Sequence, residues 1–320
     1  MPSFEEDKHP RSPDGKFTAG GEGLQAWAKG GNKGGESKSA LQGWSRGQDH
    51  AGKMTAPEKG APRRWVTTGP KQLAAETWMG NYSKHPWEGG KASQERIKAV
   101  HDPIMRAALD GVKPPAPGEQ KMAIFTMGGP GSGKSSMIKG VDPSKFVHID
   151  PDEVRTKLPE YKQATQGPMI YRYASSMTHP EASDIARKIT EAAIAQGKHM
   201  IIDGTGGDAA SLIAKMDQLR KAGYHIHLAY AHLDGDEGVK RVNSRAEATG
   251  RYVPESFVRD SYNKIPCNFE QVAAKADTWA MHDTSAKDAP VVWKKGEDGQ
   301  EVQNDTNFVS AFRKRYSQAN

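Results

Sequence analysis

Residues 127–137 read MGGPGSGKSSM and follow directly on the apolar run MAIFT. The stretch fits G-x-x-x-x-G-K-S/T, with Gly128, Gly133, Lys134 and Ser135 at the fixed positions. A β-like run before it and SSMIKG after it supply the strand–loop–helix setting that the pattern needs. Glycines let the backbone wrap closely around phosphates, with several N–H groups pointing inward at the head of a helix. This one feature restricts the chain to an α/β fold with a phosphate cradle, formed by Gly128, Gly129, Pro130, Gly131, Ser132, Gly133, Lys134, Ser135 and Ser136. Lys134 would reach the β- and γ-phosphates, and Ser135 would place its hydroxyl on Mg²⁺.

The rest of the chain decides what surrounds the loop. Residues 121 to about 293 alternate short β-like runs with longer helical ones. Strands are expected at 122–127, 146–150, 199–203, 225–231 and 289–295. EASDIARKITEAAIAQG places Ile185, Ile189, Ala192 and Ala193 on one helix face and stops at Gly197; SLIAKMDQLRKAG stops at Gly223. Alternation of this length predicts a parallel sheet with helices on both faces. The C-terminal stretch offers a turn at Asp298–Gly299 and then a short basic helix.

The residues ahead of this region differ. Over residues 1–64 glycine recurs and apolar residues are too sparse for a stripe, which predicts a flexible leader with transient helix around Leu24–Ala28. From 65 to 118 the texture becomes helical, with Trp65, Trp78 and Trp87. Ile97, Val100, Ile104 and Ala108 recur at helical spacing, and Gly111 is placed to stop the helix. Pro103 fits either a new helix start capped by Asp102 or a kink. The domain plan is therefore a leader at 1–64, a helical lead-in at 65–118, an α/β domain at 119–303 and a C-terminal helix and tail at 304–320.

Composition narrows the classes. The apolar share is 35% and mean hydropathy −0.78, so part of the 320-residue chain is expected to lie outside a packed core. No run approaches a membrane span, and the N-terminus lacks the apolar region of a secretory signal. A single cysteine, Cys267, excludes an internal disulfide and suits a reducing cytoplasm. The net charge of +6 is mild and interspersed with acids, so it does not demand a nucleic acid; a polyphosphate substrate explains it equally well.

Three further stretches carry candidate chemistry. HIDPDEVRTKLPEY begins at a predicted strand end, where ligands sit in open α/β sheets. Asp150 and Asp152 fall there; a carboxylate within reach of an acceptor hydroxyl could take its proton, while Asp152 could equally be a helix N-cap. In IIDGTGG, Asp203 stands where a Mg²⁺-organising acid is expected, and D-G is also a plain turn signal. Beyond the fourth strand come Arg241, Arg245, Arg251 and Arg259. Arg241 and Arg245 share a helix face, which suits either a kinase lid or a solvated basic helix.

Taken in order, GGPGSGKSS, HIDPDEVRTKLPEY, THPEASDIA, IIDGTG and TGRYVPE resemble the zeta toxin family of bacterial P-loop kinases, over roughly residues 121–265. The resemblance implies a P-loop NTPase fold and an ATP- and Mg²⁺-dependent kinase of UDP-activated amino sugars, notably UDP-N-acetylglucosamine. It also implies inhibition of cell-wall synthesis and a small antitoxin partner. It assigns Lys134 and Ser135 to ATP and Mg²⁺, Asp152 to activation of the hydroxyl, and Arg251 with Arg245 or Arg241 to the phosphates. Asp203, Thr205 and Glu181 fall to the sugar substrate; Asp203 stands where well-known members carry glutamate. KHPRSPDGKFT in the leader is similar to sequences of phage structural polypeptides. Two other classes fit parts of the sequence: a kinase of another small molecule or of nucleic-acid 5′ ends, and a phage structural protein with a nucleotide-binding domain that does not turn over. The arginine stretch lacks the interleaved aromatics of a base-stacking platform, which speaks against nucleic acid.

Overall fold

The structure, a computed structural model, describes residues 91–316 apart from 139, 167–168, 172–173 and 250, together with strand segments at 53–54, 63–66 and 87–88. Most of the glycine-rich leader, the expected helix at Leu24–Ala28 and Trp78 lie outside the described residues. The chain divides into two compact units. The first comprises Met1–Ala107, Pro151–Arg187 and Asn243–Phe257; the second comprises Ala108–Asp150, Lys188–Val242 and Val258–Asn320.

The second unit holds a seven-stranded sheet. Its strands are β1 (Met122–Met127), β2 (Phe146–Ile149), β3 (His199–Asp203), β4 (His225–His232), β5 (Thr278–Asp283), β6 (Val291–Lys295) and β7 (Glu301–Gln303). They lie in the order β7-β6-β5-β4-β1-β3-β2. From β2 to β5 every pairing is parallel, as alternating strands and helices require. At the far edge the expectation of a parallel sheet fails: β6 runs antiparallel to β5, and β7 antiparallel to β6. The connections there are too short for a crossover helix, and Asp288 and Ala289 turn the chain with positive φ before β6 begins. β5 itself, TWAMHD, was not among the expected strands, because a short apolar run without alternation reads as helix or strand alike.

The core follows the pattern of burial that a covered parallel strand requires. Phe125 and Met127 of β1, Met200 of β3 and Ile226 and Leu228 of β4 are fully buried. Helix α1 (Asp102–Leu109) precedes β1. Then come α2 (Lys134–Met137), α3 (Pro151–Lys157), α4 (Pro159–Gln166), α5 (Ala174–Ala195), α6 (Ala209–Lys221), α7 (Gly235–Thr249), α8 (Glu255–Ala273) and α9 (Thr306–Tyr316). Helix α5 starts earlier than its periodicity suggested and runs through Pro180, burying Ile185, Ile189 and Ala193 while Ala192 stays half-buried. Helices α5 and α6 end where expected, just before Gly197 and Gly223. No helix among the described residues is long and apolar enough to cross a membrane.

In the first unit the lead-in helix departs from the reading of Pro103 as a new start capped by Asp102. Gln94–Arg96 passes through a π-helical stretch, Ile97–His101, directly into α1. Asp102 is helical rather than a cap, and its N–H bonds to Ile97 O, five residues back. Widening the turn ahead of Pro103 absorbs the ring and the missing donor without ending the helix. The buried face also differs from the apolar stripe: Arg96 (7% exposed) and His101 (0%) are buried with Ile104, whereas Ile97 and Val100 are half-buried.

Those two polar residues are matched by carboxylates. Arg96 Nε donates to Glu181 Oε1 at 2.8 Å, and its two terminal nitrogens reach Glu160 at 2.8 Å each. His101 Nε2 lies 2.9 Å from Glu181 Oε1. Burial alone would push the Glu181 carboxyl up, but hydrogen bonds from His101 and Arg96 and their charges hold it below its ordinary value.

Two histidines of β4 make the second unit sensitive to acid. Burial, aided by the charges of His225 and His282, pushes His227 down to about 4. Burial also pushes His232 down to about 4, against the pull of Asp283. His232 sits among Phe308, Phe312 and Tyr316 of α9, at ring separations of 5.3, 5.2 and 5.9 Å. Both rings are neutral in the fold, whereas the unfolded chain takes up protons below its ordinary value of 6.5. Stability therefore falls as pH drops from 6.5 toward about 4, by on the order of 3 kcal/mol per histidine at the most. The melting temperature should be clearly lower near pH 5 than near pH 7. His232→Phe should flatten that slope; equal slopes in the two proteins would remove His232 from the account.

Candidate active site

The phosphate loop leaves the C-terminal end of β1, a central strand flanked by β3 and β4. Ligands of open α/β sheets bind at such strand ends. Gly128 has φ +148°, and a Cβ there would lie 2.8 Å from Ala231 O, so only glycine fits. Lys134 opens α2 and folds back over the loop, with Nζ donating to Gly128 O at 3.0 Å and Gly129 O at 3.4 Å. Ser132 Oγ is 0% exposed and has no hydrogen-bond partner among the described residues. Ser135 and Ser136 are exposed. A loop of bent glycines, a lysine donating to nearby carbonyls and a buried hydroxyl without a partner among the described residues are all donors that fit a chain of phosphate oxygens as the missing acceptors. Mg²⁺ at such sites is held largely by phosphate oxygens and water, so the exposed hydroxyl of Ser135 would suffice as a protein ligand for it.

A buttress that the sequence did not announce stands behind the loop. Tyr262 of α8 donates its hydroxyl to Pro130 O at 2.9 Å. Its ring lies so close to Gly129 that a Cβ there would sit 2.7 Å from the ring carbon. The ring also presses on Gly238 of α7. Tyr262 thus explains why two glycines far apart in sequence are needed. Tyr262→Phe keeps the ring and loses the hydrogen bond, which should cost about 1 kcal/mol of stability. It should weaken nucleotide binding several-fold, measured by calorimetry; unchanged affinity would mean the hydroxyl does not hold the loop.

The ends of β1 and β3 are knitted together. Thr126 Oγ1 donates to Asp203 Oδ1, and Gly128 N donates to Thr205 O at 3.0 Å. Asp203 and Thr205 are therefore neighbours of the loop in the same unit, with Asp203 oriented by a side-chain donor rather than left to a plain turn. Arg241 lies there too: a Cβ built on Gly133 would sit 3.9 Å from its Nη1. Its guanidinium is aimed by Glu237 Oε1 at 3.2 Å and by Thr284 O at 3.1 Å.

Of the remaining candidates, Asp152, Arg245, Arg251 and Glu181 fall in the first unit and Arg259 in the second. Asp152 lies inside the first turn of α3, after Pro151, and so is not the N-cap. Its Oδ1 accepts from Arg155 Nη2 and its Oδ2 from Arg251 Nη2. Two sequence-distant residues assigned to one reaction, Asp152 and Arg251, are thus brought into contact. Arg245, one turn beyond Arg241 on α7, belongs to this unit and is half-buried. Arg259 pairs with Asp236 at 2.6 Å, exposed to solvent. Glu181 is 4% exposed with Oε1 accepting from Arg96 and facing His101, so in this state its carboxylate serves the lead-in helix.

The family model described as zeta toxin matches residues 106–297. Among solved structures, one from the PezAT chromosomal toxin–antitoxin system of Streptococcus pneumoniae is 17% identical with a TM-score of 0.51, over 71% of this chain and 98% of that chain. The AvrRxo1-ORF1:AvrRxo1-ORF2 complex with sulphate ions is 16% identical with a TM-score of 0.58, over 73% of this chain and 76% of that chain. The same complex with ATP is 16% identical with a TM-score of 0.58, over 81% of this chain and 80% of that chain. At these identities the likeness is one of fold. No curated protein matches the chain.

Proposed function

Because the chain belongs to the zeta toxin family, we propose that it is an ATP- and Mg²⁺-dependent kinase that phosphorylates a hydroxyl of a UDP-activated amino sugar of the UDP-N-acetylglucosamine type. The observation that carries the reading is the phosphate loop with Lys134 at the end of β1, in a chain whose Asp152 carboxylate is held by Arg251. The loop binds the donor's phosphates through its N–H groups, Lys134 and the hydroxyl of Ser132. Mg²⁺, when bound through Ser135, neutralises charge on the donor's terminal phosphates.

Asp152 accepts the proton of the acceptor hydroxyl. The hydroxyl oxygen forms a bond to the γ-phosphorus, the bond from that phosphorus to the bridging oxygen breaks, and ADP leaves with the electron pair. Arg241 and Arg251 balance the charge that spreads over the transferring oxygens, with Arg245 as the alternative partner. Asp203, Thr205 and Glu181 are the proposed acceptor residues. Glu181 requires release from Arg96 to take that role.

The proposal extends to the remaining architecture: a leader at 1–64, a lead-in at 65–118, the kinase domain at 119–303 and a tail at 304–320. A cytoplasmic location and an antitoxin partner belong to it as well. The partner is supported by fold relatives whose structures come from a toxin–antitoxin system and a two-component complex.

The test is incubation of the full chain with ATP, Mg²⁺ and UDP-N-acetylglucosamine, read by mass spectrometry. A sugar nucleotide heavier by one phosphoryl group is the expected product. Transfer to a different acceptor alone would reject the sugar and keep the kinase; intact ATP with every acceptor would reject both.

A further inference from the structure

We propose that Arg155 is the positioning residue for Asp152, and that His179 holds Arg155 in the orientation this needs. The proposal rests on the reading of Asp152 as the proton acceptor. Arg155 follows Asp152 by one turn of α3 and is 6% exposed, with its guanidinium 6.0 Å from the centre of the Tyr161 ring. Its Nη2 donates to Asp152 Oδ1 and lies 3.1 Å from Nδ1 of His179.

Those contacts fix the state of the imidazole. A guanidinium has only donors, so Nδ1 of His179 must carry a lone pair. The neutral ring then holds its proton on Nε2, which faces Ser183 Oγ at 3.3 Å. A directed chain results, in which Ser183 accepts from His179, His179 accepts from Arg155, and Asp152 accepts from Arg155.

An ion pair one helical turn apart on an exposed surface contributes only a few tenths of a kcal/mol and needs none of this. Here the arginine is buried against a ring and aimed by a third side chain, an arrangement that controls direction. Asp152 divides its oxygens between two cations, Oδ1 to Arg155 and Oδ2 to Arg251. When Arg251 turns to a phosphate, Arg155 is the group that keeps the carboxylate from rotating. It does so at some loss of basicity, since a retained cation favours the ionised acid.

Charged groups facing Asp152 include Arg155 on its own helix and Arg251 on the segment after α7; Glu153 beside it pairs with Lys157 at 2.9 Å. Removing Arg155 therefore leaves a signature in pH that a purely structural residue would not.

The experiment compares the full chain with Arg155→Met, Arg155→Lys, His179→Ala and His179→Asn. It measures kcat and KM for ATP across pH with UDP-N-acetylglucosamine, and follows the Asp152 carboxyl by NMR titration. Arg155→Met should lower kcat by about 10²-fold with KM for ATP nearly constant. The Asp152 titration and the acid limb of kcat should both move to higher pH. Arg155→Lys should restore the titration but only part of kcat, because an ammonium lacks the fixed fork of donors. His179→Ala should lower kcat less than Arg155→Met does, and His179→Asn, whose amide oxygen can accept in place of Nδ1, should fall between it and the wild type.

Unchanged kcat and an unchanged Asp152 titration in Arg155→Met would overturn the proposal. If that variant does not fold, full activity in both Arg155→Lys and His179→Ala would overturn it. If the wild type phosphorylates no acceptor, the functional reading fails by itself. The Asp152 titration in Arg155→Met then still decides whether Arg155 governs the carboxylate.

Discussion

Replacing Asp152 by alanine is expected to cut phosphoryl transfer by about 10²- to 10⁴-fold, the range that a positioned general base contributes. Nucleotide affinity should change little, because the proposed reading assigns the donor's phosphates to the phosphate loop, Lys134 and Arg241 rather than to Asp152. The loss should appear in kcat rather than in KM for ATP, the pattern of an interaction needed only in the transition state. Alanine also takes away the carboxylate that accepts from Arg155 and Arg251, so the variant changes charge as well as chemistry. Asp152→Asn separates the two effects in part: it keeps the shape and one acceptor oxygen, so it can still accept from one of the two guanidinium groups, but it cannot take a proton. Equal loss in the two variants would assign the effect to the base; an active Asp152→Asn enzyme would sink the assignment.

Lys134→Ala is expected to fail differently. In the proposed reading the lysine reaches the β- and γ-phosphates, where it would serve both binding and transfer. Loss of one such charge-stabilising group typically costs 10²- to 10³-fold in rate, and here ATP affinity should fall with it. Without ligand, Lys134 donates to the carbonyls of Gly128 and Gly129, contacts worth about 1 kcal/mol net, so the fold should survive almost unchanged. The check is a pair of measurements on one sample: calorimetric titration with ATP, and thermal melting. Retained affinity would move the phosphates away from this loop; a large fall in melting temperature would mean the lysine is chiefly structural.

The strand–loop–helix setting of the phosphate-loop motif was legible because its parts are close in sequence. A strand, a glycine loop, a lysine and a serine occupy residues 122–135, and local spacing fixes their mutual geometry before any long-range contact forms. The same holds for β3 and Asp203, and for the helices that end before Gly197 and Gly223. Legibility failed where the deciding partner is remote. Asp152 could be read as cap or catalyst; its place inside the first turn of α3 excludes the cap, and its contact with Arg251, 99 residues away, is a pairing that local spacing does not announce. Arg96 and His101 stand outside the apolar stripe of Ile97, Val100, Ile104 and Ala108, yet both are buried against Glu181, 85 residues from Arg96. β5 was missed because six apolar and mixed residues carry no period of their own; its neighbours β4 and β6 make it a strand.

The sequence by itself determined that a glycine-rich phosphate-loop motif lies between a strand and a helix, and that the chain's motifs occur in the order of one kinase family. Hydrophobic periodicity and glycine spacing are local quantities, and they suffice for that. Only the tertiary structure decided which arginine sits beside the loop, which ring supports it and which cations hold Asp152. Tyr262 reaches Pro130 across 132 residues, and no pattern of spacing encodes such a pairing. Burial decides it, because a polar group removed from water must find its partner wherever the fold has placed one.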